Sequence, residues 1–331
     1  MKVALEYAPG ASWDNLVSND SRASFFHERV WADALASVYR HFTPFFITVR
    51  SDSGALLAGL PATRSVRMGL TQILSQPFGT YGCPLIGGDL EPSVAERLLI
   101  ERWRQEASKT GTIRAHLTLR PRSFPSPAAR VPNSWKRPEQ THVVDLSDGE
   151  LGLWRSRFCG AVRSSCRHAE RLGIAVAEES NPNGVLTLET LYRRVASDWP
   201  DHKLYAPGLF ERLLTHASRH TMIWIARRDG SPLAATLVFR YRNTLTSWLT
   251  VLTQEARRIR AGVLLHGQVM RFGCRNGFTE FNFGASQGAR TLISFKESMG
   301  GTAVDYESYL RQSTWFSPLH GAYRALSGMR A

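Results

Sequence analysis

The chain has 331 residues, 43% of them hydrophobic and 9 of them Trp, which excludes a disordered or fibrous protein and suits about two domains of ~150 residues. Lys and Arg number 41 against 28 Asp and Glu; the net charge of +13 favours polyanions such as RNA, nucleotide sugars or CoA without choosing among them. The longest apolar runs are strand-length and Met1–Gly10 holds no apolar h-region, so neither a membrane span nor a secretory signal is expected, and a soluble, cytoplasmic protein is.

In chain order, a helix is expected around Ser21–Tyr39, followed by a hairpin of Phe45–Arg50 and Ala55–Arg64 turning at Ser51-Asp-Ser-Gly54. The Gly/Pro-rich segment from Gln76 to Leu85 leads to a helix over Pro92–Lys109 and a strand over Ile113–Leu119. Arg120–Gln140 is rich in Pro, Ser and Arg and reads as a linker or long loop, with a strand at His142–Leu146 after it. Asp148 is placed to cap a helix running unbroken to Leu172, with apolar positions at helical spacing and Gly173 as its stop.

A helix over Phe210–His216 precedes strands at Met222–Arg227, Leu233–Arg240 and Leu245–Leu252. The basic loop Arg257–Gly262, the helix Val263–Arg275 and the strand Phe278–Phe283 complete the pattern. Hairpin, third strand, loop, helix, strand is the order of an acetyltransferase-like α/β unit, clear in the second half and weaker in the first. The expectation is an α/β (α+β) protein of two tandem acetyltransferase-like domains, 1–140 and 141–331, each a mixed, mostly antiparallel sheet flanked by helices.

Three features carry candidate chemistry. The loop Ala256-Arg-Arg-Ile-Arg-Ala-Gly262 stands where such folds use backbone N–H groups at a helix N-terminus to bind pyrophosphate. Arg257 and Gly262 fit the ends of that motif, while Arg260 replaces its middle glycine. Arg163, Arg167 and Arg171 follow one another at i, i+4 and i+8, forming a stripe suited either to phosphate or to solvent. The segment from Asp198 to Tyr205 offers Asp198 or His202 as a general base and Tyr205 as a substrate contact, and His266 stands one turn inside the helix after the basic loop, placed to meet the donor. Cys83, Cys159, Cys166 and Cys274 are scattered without metal-ligand spacing, and Cys166, though flanked by Arg163, Arg167 and His168, lacks a third group to orient it as a nucleophile. No metal or redox cofactor is expected.

Two blocks resemble a known family. Val162-Arg163-Ser-Ser-Cys-Arg167-His-Ala-Glu-Arg171-Leu-Gly-Ile174 is similar to the R-x-x-x-R-x-A-x-x-x-G-[IV] helix of FemAB-type peptidoglycan-bridge transferases. Phe281-Asn282-Phe-Gly284-Ala-Ser286, Gly288 and Phe295-Lys296-Glu-Ser-Met-Gly300 resemble that family's F-D-F-G-x-S … G … F-K-x-x-x-G block, with Tyr306 close after it. In the first half, Phe78-Gly-Thr-Tyr81-Gly82-Cys-Pro84 is similar in outline to its P-x-x-x-Y-G segment.

The resemblance implies two fused acetyltransferase-like domains and an activated acyl donor, aminoacyl-tRNA ahead of acyl-CoA. The acceptor it implies is a small-molecule or peptide amine in a cell-envelope or natural-product pathway. Lys296 then attends the donor carbonyl and phosphate, with Phe295 packed beside it, and Arg163, Arg167, Arg171, Tyr81, Gly82, Asn282, Gly284 and Ser286 contact substrates. Asn282 stands where the family often has Asp, and Ala285 where Arg is frequent. An acyl-CoA-dependent enzyme, or a basic RNA- or partner-binding module without catalysis, are the alternatives.

Overall fold

The computed structural model describes residues 1–88, 90–122, 131–199, 202–286 and 288–313. The chain folds as two compact units, unit 1 formed by Met1–Glu139 with the chain from Tyr306, and unit 2 by Gln140–Asp305.

Unit 1 runs β1 (Lys2–Glu6), α1 (Ala11–Asn19), a 3-10 turn (Phe25–His27), α2 (Arg29–Val38), β2 (Phe42–Arg50), β3 (Leu56–Arg67), β4 (Leu70–Leu74), β5 (Leu85–Ile86), α3 (Pro92–Ala107) and β6 (Thr112–Thr118). Strands β1 to β4 form an antiparallel meander, and β4 then pairs in parallel with β6. Beyond Leu74 the edge of β6 stays occupied by its own chain: Ser75 N–H donates to His116 O, Thr118 N–H to Ser75 Oγ, and Gly82 N–H to Thr118 O. The expected helix Ser21–Tyr39 is broken, because Glu28 is extended between the 3-10 turn and α2.

Unit 2 contains most of β7 (Lys136–Asp145), then α4 (Gly149–Gly152), a π turn (Leu153–Arg157), α5 (Gly160–Arg171), β8 (Ala175–Glu178), α6 (Pro182–Ala196), α7 (Leu209–His216), β9 (Thr221–Arg228), β10 (Ser231–Tyr241), β11 (Thr244–Leu252), α8 (Gln254–Arg258), α9 (Ala261–Arg275), β12 (Glu280–Ala285) and α10 (Arg290–Ser298). Its strand order is β7-β12-β11-β10-β9-β8. The last strand, β13 (Thr302–Gln312), leaves unit 2 and pairs antiparallel with β6 over Ser308–Gln312. Strand, two helices, three-strand meander, helix and strand thus occur in both units, and in both the final strand pairs in parallel with the meander. Continuous burial along β10 and alternating burial along β11 set an apolar face against α5 and α9, where Phe158, Val162, Leu264, Val269 and Phe281 pack.

Two expectations need correction. The helix from Asp148 to Leu172 is interrupted at Phe158, whose backbone is extended (ψ 125°), so the apolar periodicity continues across two helical pieces that share a core. The linker expected over 120–140 is shorter, since Lys136 already belongs to β7, and residues 123–130 lie outside the described residues. Among the described residues no helix is long and apolar enough to cross a membrane.

Candidate active site

Strands β11 and β12 pair only over Thr244–Thr246 and Glu280–Asn282. Each carries a bulge just past that pairing. On β11 the register against β10 shifts so that Trp248 is left over between Ser247 and Leu249. On β12 the register against β7 shifts so that His142 faces both Phe283 and Gly284. Gly284 has φ +73°, and a Cβ there would sit 3.3 Å from the Ser247 carbonyl, so its left-handed backbone and this tight contact both favour glycine.

Lys296, on α10, is buried and reaches this bulge. Its Nζ donates to the carbonyls of Gly284 at 2.6 Å and Ala285 at 3.1 Å. Burial pulls its pKa down to about 8, close to neutrality but still on the charged side. Neither Glu297 nor Asp305, the carboxylates nearest it in sequence, is bonded to Nζ: Glu297 Oε1 lies 4.0 Å from His142 Nε2, and Asp305 Oδ1 accepts from Gln140 Nε2. Phe295 packs beside it, with ring centroids 6.1 Å from Phe283 and 5.5 Å from His266.

His266 lies inside the fold rather than at its surface. Its Nδ1 is 2.8 Å from the Gly262 carbonyl, which only accepts, so Nδ1 carries the hydrogen. Burial lowers its pKa to about 4 and leaves Nε2 as a lone-pair acceptor, 3.3 Å from Thr250 Oγ1. Thr250 Oγ1 in turn meets Thr236 Oγ1 at 2.9 Å and Ser247 Oγ at 3.3 Å. Ser247, Thr236 and Thr250 form a hydroxyl cluster that sequence reading missed, because register rather than spacing assembles it.

Asn282 takes over the acceptor work of the carboxylate expected there. Its Oδ1 accepts from Thr141 Oγ1 at 2.7 Å and from Gly284 N–H at 2.8 Å, holding the bulge closed. Ser286 is buried beside it, its Oγ without a hydrogen-bond partner among the described residues. His142, also missed in the sequence, is fully buried opposite the bulge with neither ring nitrogen bonded among the described residues. Burial, reinforced by the charge of Lys296, lowers its pKa.

The remaining sequence candidates are carried by other elements. Arg163 turns inward: its guanidinium donates to Phe158 O at 2.5 Å and to Trp154 O and Arg155 O at 3.3 Å, satisfying carbonyls exposed where the π turn ends. Arg167 lies over the Trp154 ring at 5.5 Å, with Arg271 on the same ring at 4.8 Å, and Arg171 is exposed. Asp198 lines a cleft of about 770 Å³ with Arg194, Trp199, Leu252, Thr253 and Arg257. His202 Nε2 is 2.8 Å from Tyr192 Oη, which also accepts from Tyr205 N–H at 2.7 Å; the Tyr205 ring stacks between Tyr192 and Trp248. Arg260 is exposed at φ +63°, so the backbone keeps a glycine-like shape where the motif has glycine. Tyr81 and Gly82 belong to unit 1, Tyr81 buried edge-on to Phe26 and Tyr306.

Residues 156–293 match the family model described as an acetyltransferase (GNAT) domain. The fold is the tandem GNAT fold. The chain is similar to the crystal structure of FemX, with 12% identity over 98% of this chain and 100% of that one at a TM-score of 0.66. It is similar to a tandem GNAT protein from the clavulanic acid biosynthesis pathway, with 14% identity over 94% and 98% at 0.56. A third likeness is to the C-terminal domain of a lysylphosphatidylglycerol synthetase described as putative, from Agrobacterium fabrum, with 16% identity over 96% and 93% at 0.55. None of the curated protein sequences matches the chain.

Proposed function

We propose that unit 2 transfers an acyl group from an activated donor to an amine, forming an amide, with Lys296 as the group that stabilises the reacting carbonyl. One observation carries this reading: a buried ammonium is held on the Gly284 and Ala285 carbonyls where β11 and β12 part. When the amine nitrogen bonds to the carbonyl carbon, negative charge builds on the carbonyl oxygen. A fixed N–H donor in a water-poor site stabilises that charge far more than water does, and contributes by ~10²–10³ in rate. The bond to the leaving oxygen or sulfur then breaks as the carbonyl reforms.

Aminoacyl-tRNA is the favoured donor. The net charge of +13, the exposed arginines Arg167 and Arg171, and the bulk of Arg260 in the pyrophosphate loop all suit a large polyanion better than a snug CoA site. Acyl-CoA is the second reading, favoured by the match to an acetyltransferase domain and by the left-handed backbone retained at Arg260. The acceptor is an amine of a cell-envelope or natural-product pathway, in keeping with the clavulanic acid and lysylphosphatidylglycerol proteins that share the fold.

Incubation with labelled aminoacyl-tRNA and with labelled acyl-CoA, each with a panel of amines, tests the proposal. Transfer from one donor that disappears in a folded Lys296→Ala variant supports it. Transfer from neither donor, or full activity in that variant, overturns it.

A further inference from the structure

Ser247 is the first residue of β11 beyond its pairing with β12, and its backbone lies against Gly284, the residue whose carbonyl holds Lys296. Its hydroxyl opens a row of polar groups leading inward through an otherwise apolar face that includes Val238, Phe281 and Phe283. Buried polar groups in such a place cost stability unless paired.

The direction of the row follows from its inner end. Gly262 O can only accept, so His266 Nδ1 donates to it, and the other nitrogen of the neutral ring must accept. Thr250 therefore spends its single hydrogen on His266 Nε2 and faces Thr236 and Ser247 as an acceptor. Thr236 has two nearer acceptors than Ser247, the Leu249 carbonyl at 3.0 Å and Thr250 at 2.9 Å. Thr250 and Thr236 thus offer the Ser247 hydrogen inward acceptors, each at 3.3 Å. A hydroxyl turned that way leaves its lone pairs at the end of the β11–β12 pairing.

We propose that Ser247 is a catalytic residue that accepts an N–H hydrogen bond from the incoming nucleophile and so selects amines over alcohols, with Thr250, Thr236 and His266 as positioning residues that keep its hydroxyl turned inward. This rests on the acyl-transfer reading above and narrows its acceptor. An attacking amine has one N–H to lose as the amide forms and another to donate to a fixed acceptor. An alcohol has a single O–H hydrogen, which it must lose, so a site that only accepts gives it no retained contact. His266, assigned above to the donor, acts here through Thr250 without touching substrate.

The test uses the full chain with whichever donor supports wild-type turnover. Amide formation, ester formation on the matching alcohol and hydrolysis are measured side by side. Ser247→Ala is expected to lower the amide-to-ester ratio by about 10- to 100-fold, the range of one well-placed hydrogen bond to a reacting group. Thr250→Val, which removes the inward acceptor at nearly constant volume, is expected to lower the same ratio by about tenfold with the donor KM kept, and Ser247→Thr to restore it. A fold defect lowers all three products together, whereas the proposal requires the ratio to move. Retained transfer with an unchanged ratio in Ser247→Ala and Thr250→Val overturns this inference alone; no transfer by the wild-type chain overturns it together with the reading beneath it.

Discussion

The Lys296 ammonium and the Gly284 carbonyl, twelve residues apart in sequence, meet at 2.6 Å across the turn between β12 and α10. The bond places a charged group where water is scarce, and burial lowers its pKa from 10.5 to about 8. Activity that needs the charged form is therefore expected to fall as pH rises through about 8. The stability effect has the opposite sign. Between about 8 and 10.5 the unfolded lysine holds a proton that the folded one has lost, so this group's contribution to stability rises with pH across that window. A pH profile of kcat/KM beside urea melts at the same pH values checks both limbs, and Lys296→Met is expected to cost at least ~100-fold in rate.

Gly301 supports the same lysine from behind. A Cβ there would lie 2.7 Å from Lys296 O and 3.2 Å from His142 Cβ, and backbone cannot move as a side-chain tip can. Gly301→Ala is expected to cost about 1–3 kcal/mol and to shift the last turn of α10. Because misplacement by ~1 Å can cost 10²-fold, kcat should fall more steeply than the melting temperature suggests. Wild-type kcat in this variant would show that the lysine's position is not rate-determining.

Arg260 holds a left-handed backbone at φ +63° with an exposed side chain. Such a conformation costs an L-residue roughly 1–2 kcal/mol, partly offset by the greater unfolded-state freedom of glycine. Arg260→Gly is expected to change stability by roughly 0 to +1 kcal/mol, while Arg260→Val should lose more than about 1 kcal/mol. Urea titration of the two variants decides it. Arg260→Gly should also flatten the salt dependence of binding if tRNA is the donor.

Tyr192 Oη accepts from the Tyr205 amide and contacts His202, fixing the chain between α6 and α7. Tyr192→Phe leaves those groups without that partner and is expected to cost about 1–3 kcal/mol. Amide hydrogen exchange at Tyr205 should accelerate. A change in the acceptor KM with kcat preserved would link this segment to acceptor binding, and an unaltered exchange rate would contradict the structural role.

Local pattern made the strands β9, β10 and β11 and the helix α9 legible, because continuous apolar runs in β9 and β10, alternation in β11 and helical periodicity in α9 survive. The short β8 (AVAE) carries too little apolar signal to stand out. The arginine stripe read correctly as a helix face, but spacing says nothing of chain breaks. It is the break at Phe158 that exposes the carbonyls Arg163 binds. Ser247, Thr250 and His266 were not legible as a group, since a bulge in β11 and the packing of α9 bring them together. Lys296 was legible only through the resemblance; nothing in its immediate neighbours predicts that a lysine will be buried on two backbone carbonyls.

In unit 1 the stretch of β6 past Leu74 is stitched to Ser75 and Gly82, so the parting of strands seen in unit 2 is sealed there by the chain itself. Two similar folds in one polypeptide thus need not mean two working centres. Titrated calorimetrically with a non-reactive donor analogue, the protein should saturate at a single equivalent per chain, and substitutions lining Ser75 should alter its melting curve while leaving that stoichiometry intact.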